Sequence, residues 1–235
     1  MNYLNNNGYL IKIINTIDHA KVHYNNTDDF LVIKKSEFNI NNYYLIAKST
    51  NKEAFNQYVN SFIKSNEEYI ISEGFDSIEE TLVKLLNKYN LTISFAESCT
   101  GGLMASSIIN VSGASNILKE SYVTYSDESK MKILGVKRNT LNEYSVYSKE
   151  VAYEMAKGLF SVSKSNICIS ITGLAGGSSY NQNDGSYNAC IIINNNSKQH
   201  IIEIEKREKG IRNEVRKKQV NYVFYRIILA LKSIL

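Results

Sequence analysis

The sequence predicts an α/β layered domain preceded by a small α+β module. Three observations carry that prediction. From residue 76 onward, apolar runs of strand length alternate with stretches of helical periodicity. Two of those strands run directly into glycine-bearing turns. Residues 1–75 differ: short apolar runs there are separated by Asn- and Asp-rich turns around one amphipathic stretch.

In the first module, 1–75, the runs Tyr9–Ile14, Phe30–Ile33 and Tyr43–Ala47 read as strands. Lys52–Ser65 carries Phe55, Tyr58, Val59 and Phe62 at three- and four-residue spacing, one apolar face of a helix. A boundary falls at Glu73-Gly74-Phe75-Asp76, and the second domain is 76–235. Ser77-Ile78-Glu79-Glu80 is a capping box opening a helix through Tyr89, with Leu82, Leu85, Leu86 and Tyr89 inward. A strand over 91–96 enters the turn Glu97-Ser98-Cys99-Thr100-Gly101-Gly102, and a helix over 103–110 follows. Next come a strand at Tyr122–Ser126, a short helix Glu128–Leu134 with Asp127 as its N-cap, and a longer helix capped by Ser148 that buries Val151, Met155 and Leu159. The strand Ile167–Thr172 leads into a second glycine loop, Gly173–Gly177, continuing through Ser178 to Gly185. Strands near 189–194 and 200–205 precede a helix from Ile211 with Val215, Val220, Val223, Phe224, Ile227, Ile228 and Leu231 on one face. The Asn181–Asp184 and Asn194–Asn196 stretches read as exposed turns. If the strands at 91–96 and 167–172 are neighbours, their two loops share the crevice in which open α/β sheets bind ligands.

Composition narrows the function classes. With 235 residues and 43% hydrophobic content the chain can build a real core. A net charge of +4, without a basic cluster or a Gly-x-x-Gly clamp in the first module, argues against nucleic acid as the partner. Cys99, Cys168 and Cys190 are too few and too scattered for a disulfide framework or a zinc site, which points to a reducing, cytoplasmic location. No metal-ligand spacing occurs. The chain shows neither a signal-peptide start nor ~18 consecutive apolar residues, so a soluble, unsecreted protein is expected, with no membrane partner.

The first glycine turn concentrates chemistry. Ser98 and Cys99 are rival nucleophiles beside the carboxylate of Glu97, and the turn with its following helix offers N–H groups to an oxyanion. Ser98 could equally be a helix cap. All three histidines, His19, His23 and His200, lie outside the two loops, so the base must be sought elsewhere. Lys130, in the first turn of the helix after Tyr125, meets the positive end of a helix dipole, which favours a neutral amine. A lysine at its reference pKa of ~10.4 is neutral about once in ~2,500 molecules at pH 7, so burial would have to supply most of the depression. A solvated surface lysine is the plain alternative. Glu97 could orient a ligand amide or ribose hydroxyl, or accept backbone hydrogen bonds. Arg212 and Arg216, four residues apart on the last helix, share a face that could hold a phosphate.

Four segments in this order, Ala96-Glu97-Ser98-Cys99-Thr100-Gly101-Gly102, Val123-Thr124-Tyr125-Ser126-Asp127-Glu128-Ser129-Lys130, Leu134-Gly135-Val136 and Ile171-Thr172-Gly173-Leu174-Ala175-Gly176, resemble the C-terminal domain of the CinA family. Gly210-Ile211-Arg212-Asn213-Glu214-Val215-Arg216 is similar to that family's Gly-x-Arg-x-x-x-Arg segment. The resemblance implies a three-layer α/β/α domain with a mixed sheet that hydrolyses the carboxamide of nicotinamide mononucleotide to nicotinate mononucleotide and ammonia, with no cofactor or metal. It implies Ser98 as nucleophile, Lys130 as base acting directly or through Tyr125, and the turn Cys99, Thr100, Gly101 and Gly102 as oxyanion and substrate contacts with Glu97. Thr172, Gly173 and Gly176, with Arg212 and Arg216, are implied as contacts to the pyridine ring or phosphate. Tyr44–Leu82 resembles more loosely the small KH-like linker that precedes this domain in longer members. Where the family has a proline and a Lys-Pro-Val-Gly segment, this chain reads Gly176-Gly177-Ser178 and Gln182-Asn183-Asp184-Gly185, one cation fewer. The alternative is a catalytically silent nucleotide- or partner-binding member. The long apolar C-terminal helix is compatible with a homodimer.

Overall fold

Residues 3–4, 10–17, 21–48, 51–177, 185–195 and 198–234 are described by the structure, a computed structural model. Contacts divide the chain into two units, Met1–Thr81 with Phe224–Leu235, and Leu82–Val223.

The first unit is built on strands β1 (Tyr3–Leu4), β2 (Leu10–Ile17), β3 (Phe30–Glu37), β4 (Ile40–Ala47) and β5 (Ile70–Glu73). Among the described residues the order is β1-β2-β4-β3, with β5 also paired to β2, and the pairings are antiparallel. Phe38 and Asn39, with φ of 45° and 61°, make the two-residue link between β3 and β4, where paired positive φ values match the strand twist. Helix α1 (Lys52–Asn66) buries Phe55, Val59 and Phe62 against Ile14, Val32, Tyr43 and Leu45, and Tyr58 is only partly buried at the edge of that face.

The capping box forms as the sequence requires: Glu80 N–H donates to Ser77 Oγ and Ser77 N–H to Glu80 Oε2, opening α2 (Ile78–Lys88). Its inward residues are Leu82, Val83 and Leu86, with Leu85 half-buried. Tyr89, expected inward, is exposed because the helix has already ended.

The second unit holds a mixed sheet in the order β10-β9-β8-β6-β7, where β6 is Ile93–Glu97, β7 Leu118–Val123, β8 Ile167–Gly173, β9 Gly185–Asn195 and β10 Lys198–Glu208. β6 runs parallel to both β7 and β8, whereas β9 is antiparallel to β8 and β10. Every residue of β6 and β8 is buried, so both faces of the sheet are covered, the condition of a three-layer α/β/α domain. On one face α7 (Lys149–Ser163) sets Val151, Ala152, Met155, Ala156 and Leu159 against Ala96, Cys168, Cys190 and Ile192. Ser148 caps α7 through Val151 N–H.

The remaining helices are α3 (Leu103–Ile109), α4 (Ala114–Ile117), α5 (Asp127–Leu134), α6 (Arg138–Tyr144) and α8 (Arg212–Ile234). Helices α4 and α6, of four and seven residues, were not expected, since neither is long enough to display a helical period. The strand expected at Tyr122–Ser126 ends at Val123, because Ser126 is the N-cap of α5, its Oγ accepting from Ser129 N–H at 3.2 Å. Asp127, expected as that cap, is the first helical residue. Every apolar α8 residue expected on one face is buried. Among the described residues no helix is long and apolar enough to cross a membrane. Tyr9, His19, Ser178 and Asn181–Asp184 lie outside the described residues, as does Asn196 of the Asn run.

Candidate active site

Three parallel neighbours, β7, β6 and β8, end side by side, and each C-terminal end delivers one part of the site. The turn after β6 carries Ser98, the segment after β7 leads through Tyr125 to Lys130 on α5, and the loop after β8 begins at Gly173. Ser98 N–H donates to Ile171 O at 3.0 Å and Thr124 N–H to Glu97 O at 2.9 Å, so backbone bonds continue past the strand ends and fix the spacing of the three segments. A cavity of about 250 Å³ opens there, lined by Ser98, Cys99, Tyr125, Lys130, Gly173 and Arg212, together with Asp127, Val146, Tyr147, Leu174 and Ala175.

Lys130 is fully buried. Its Nζ lies 3.2 Å from Ser98 Oγ, 2.9 Å from Thr124 O and 3.3 Å from Tyr125 O. Burial lowers its pKa, and nearby Asp127 and Cys99 oppose that shift. Two carbonyls can accept both hydrogens of the neutral amine, which leaves its lone pair for the serine hydroxyl. Tyr125 reaches Lys130 through its carbonyl; its phenol, on a side chain 62% exposed, accepts from Arg212 Nη2 at 3.4 Å. Neither His23 nor His200 lines the cavity.

Cys99 sits beside Ser98 but is buried, and burial pushes its thiol up to about 12 against the opposing pull of the Cys99 and Thr100 backbone N–H groups. Its Sγ donates to Gln219 Oε1 at 3.6 Å. A thiol so placed is held protonated, which favours Ser98 over it as the nucleophile.

Glu97 does not line the cavity. It is fully buried, and its two oxygens accept from Met104 and Ala105 N–H, each at 3.0 Å. It therefore caps α3 from the preceding strand, and the N–H groups of that helix expected to face an anion are already taken. Within the turn, Gly101 N–H donates to Ser98 O at 3.1 Å, so neither it nor Ser98 N–H is available to an oxyanion. Gly101 and Gly102, with φ of 57° and 88°, supply the left-handed backbone that reverses the chain. Thr100 is fully buried, and its carbonyl accepts from Arg216 Nε at 3.2 Å and from Arg216 Nη2.

Of the second loop's expected contacts, Gly173 lines the cavity, whereas Thr172 is buried and donates from Oγ1 to Val146 O at 2.8 Å. Gly176 offers its carbonyl to Arg212 Nη1 at 3.4 Å. The expected arginine pair divides: Arg212 faces the cavity, while Arg216 is committed to the serine turn.

Sequence reasoning missed Gln219. Fully buried, it donates from Nε2 to Leu174 O at 2.8 Å and to Gly185 O at 3.3 Å while accepting from Cys99, so one side chain ties both glycine loops together. The signal was present: Gln219 lies midway between Val215 and Val223 at four-residue spacing, a polar group within an apolar stripe. Among the described residues no three His, Cys, Asp or Glu side chains cluster so as to hold a metal.

Comparison with known proteins matches residues 75–231 to the family described as the CinA C-terminal domain. A CinA-like protein of Petrotoga mobilis is 39% identical over 157 residues, 66% of this chain and 38% of that protein. A putative competence-damage inducible protein of Clostridioides difficile is 48% identical over 125 residues, 53% of this chain and 30% of its own. The chain thus matches only about a third of the length of these curated relatives. Among solved structures, a competence/damage inducible protein from Agrobacterium tumefaciens is similar with a TM-score of 0.57 at 28% identity, over 68% of this chain and 98% of that one.

Proposed function

The chain belongs to the CinA C-terminal domain family, and from that premise we propose that it hydrolyses the carboxamide of nicotinamide mononucleotide to nicotinate mononucleotide and ammonia. The observation that carries the reading is the 3.2 Å approach of a buried amine, Lys130 Nζ, to Ser98 Oγ, with no carboxylate within ion-pair distance of it among the described residues. Neutral Lys130 takes the hydroxyl proton as Ser98 attacks the carboxamide carbon. The same proton passes to the amide nitrogen, ammonia leaves, and a nicotinoyl ester remains on Ser98. Water then attacks that ester, its proton passing through Lys130 back to Ser98 Oγ, and nicotinate mononucleotide departs. The N–H of Cys99, the residue after the nucleophile, serves the oxyanion. Arg212 receives the phosphate at the cavity mouth. Tyr125 orients Arg212 with its phenol and Lys130 with its carbonyl.

Three buried free cysteines fit a reducing, cytoplasmic setting. Tyr44–Leu82, which takes in part of β4, α1, β5 and the start of α2, we read as the KH-like linker of longer members.

The test incubates the purified full chain with nicotinamide mononucleotide and measures ammonia and nicotinate mononucleotide. Turnover that falls at least ~100-fold in Ser98→Ala and in Lys130→Ala supports the mechanism. Turnover unchanged by either substitution sinks it, and tight nucleotide binding without ammonia identifies a silent binding protein.

A further inference from the structure

Resting on the reading of the substrate as a nicotinamide nucleotide, we infer that Tyr147 is a specificity-determining residue, whose ring packs on the pyridine ring and reads the positive charge of its quaternised nitrogen. Tyr147 lines the same cavity as Ser98 and Lys130 and is 44% exposed, so its aromatic side chain is accessible to a ligand bound there. The segment that presents it is held firmly. Two consecutive carbonyls are pinned to the sheet, Val146 O by Thr172 Oγ1 on β8 and Tyr147 O by Asn188 Nδ2 on β9, each at 2.8 Å. Just before them Ser145 adopts φ 74° and ψ 147°, a conformation an L-residue holds only when its surroundings enforce it. These anchors fix the position of the segment that carries Tyr147 at the cavity.

The rest of the lining fits a ligand with separated charges. Tyr125 offers a second exposed ring and Asp127 a carboxylate, and Arg212 supplies the cation. A cavity of about 250 Å³ is smaller than a typical whole-ligand pocket, so it takes the ring and carboxamide and leaves the phosphate at exposed Arg212. Electron-rich ring faces attract a planar cation most strongly where water is excluded. The reduced nucleotide, dihydronicotinamide mononucleotide, carries the same amide and phosphate on an uncharged, non-aromatic ring, so Tyr147 should discriminate against it.

The experiment measures ammonia release from nicotinamide mononucleotide by the wild type, Tyr147→Phe and Tyr147→Ala. In parallel, calorimetry measures binding of the oxidised and reduced mononucleotides, with Ser98→Ala added to keep the ligand intact. Expected is a KM roughly tenfold higher in Tyr147→Ala, kcat within about threefold, and loss of the preference for the oxidised ligand, with all three retained in Tyr147→Phe. A wild-type KM and an undiminished preference in Tyr147→Ala overturn the inference. If the wild type releases no ammonia, the amidase reading fails on its own and the binding preference still decides the role of Tyr147. Absence of binding to either form overturns both.

Discussion

At the scale of the residue, Lys130 is defined by what surrounds its amine: three oxygens, one from a hydroxyl and two from carbonyls, none of them charged. Burial without a contacting counter-ion favours the neutral form, so the folded pKa falls below the ordinary 10.5. Between that lowered pKa and 10.5 the unfolded chain binds a proton that the folded chain does not, and stability therefore rises with pH across this window, contrary to the usual behaviour of an ion-paired lysine. The same sign governs the reaction, because the neutral amine is the working form. We predict that kcat/KM climbs with pH and levels off below the range of an ordinary lysine. Lys130→Arg, protonated at every accessible pH, should lose ~10²- to 10⁴-fold in kcat throughout. A profile that rises only in the ordinary lysine range near ~10.4, or an active Lys130→Arg, excludes a buried, neutral lysine as the base. The pairing of Ser98 with Lys130 was legible only through the resemblance of the two segments that carry them, since nothing in their composition or spacing brings them together. The state of Lys130 was not, since the run Asp127-Glu128-Ser129-Lys130 has the charge pattern of a solvated first turn and nothing in it reports that only the lysine is fully buried.

At the scale of the element, α3 depends on a side chain that belongs to a strand. Its seven residues are too few to be stable alone, and the carboxylate of Glu97 at the end of β6 satisfies two N–H groups of its first turn. Because Glu97 is buried, Glu97→Ala leaves both donors without water or partner, a loss of about 2–4 kcal/mol. Thermal melting should fall by roughly 5–15 °C. Glu97→Gln keeps one acceptor but sets its amide N–H against the other donor, and should recover less than half of that loss. Melting unchanged in Glu97→Ala would return the residue to the pool of ligand contacts. Elements with a full period or a capping box, such as α1, α2, α7 and α8, were legible along the chain. Helices α4 and α6 and the true limits of β7 were not, because they are set by neighbours: β7 ends where Ser126 is needed as a cap, and α4 occupies only the stretch between a glycine of φ 88° and that strand. Glu97 shows the same limit, for its spacing to Met104 and Ala105 acquires meaning only once a turn folds the strand end back over the helix.

At the scale of the whole molecule, the two glycine loops are brought into register by the first turns of α8, which reach back across the chain. Arg216 and Gln219 bond groups 116 and 120 residues earlier, and Arg212 spans 87 residues to Tyr125. The last helix of the domain thus supplies contacts to both loops, across separations whose closure entropy the packed sheet must offset. From sequence the two arginines were indistinguishable, being four residues apart and alike in charge. The structure separates them by what each guanidinium touches, and this makes their variants diagnostic. Arg216 serves the buried carbonyl of Thr100, so Arg216→Ala should leave that carbonyl unpaired and lower melting by several degrees, with kcat falling as the serine turn loosens. Arg212 is exposed, and among the described residues its hydrogen bonds are two of 3.4 Å, to Gly176 O and the Tyr125 phenol, so its removal should cost the fold little. Arg212→Ala should instead raise KM for the phosphorylated substrate roughly tenfold or more, leave melting within about one degree, and lose much less against the phosphate-free riboside. Melting curves and a KM-against-kcat comparison on the two variants decide the matter. If Arg216→Ala changed only KM and Arg212→Ala lowered melting, the phosphate would belong to Arg216 and the assignment of the cavity mouth would be reversed.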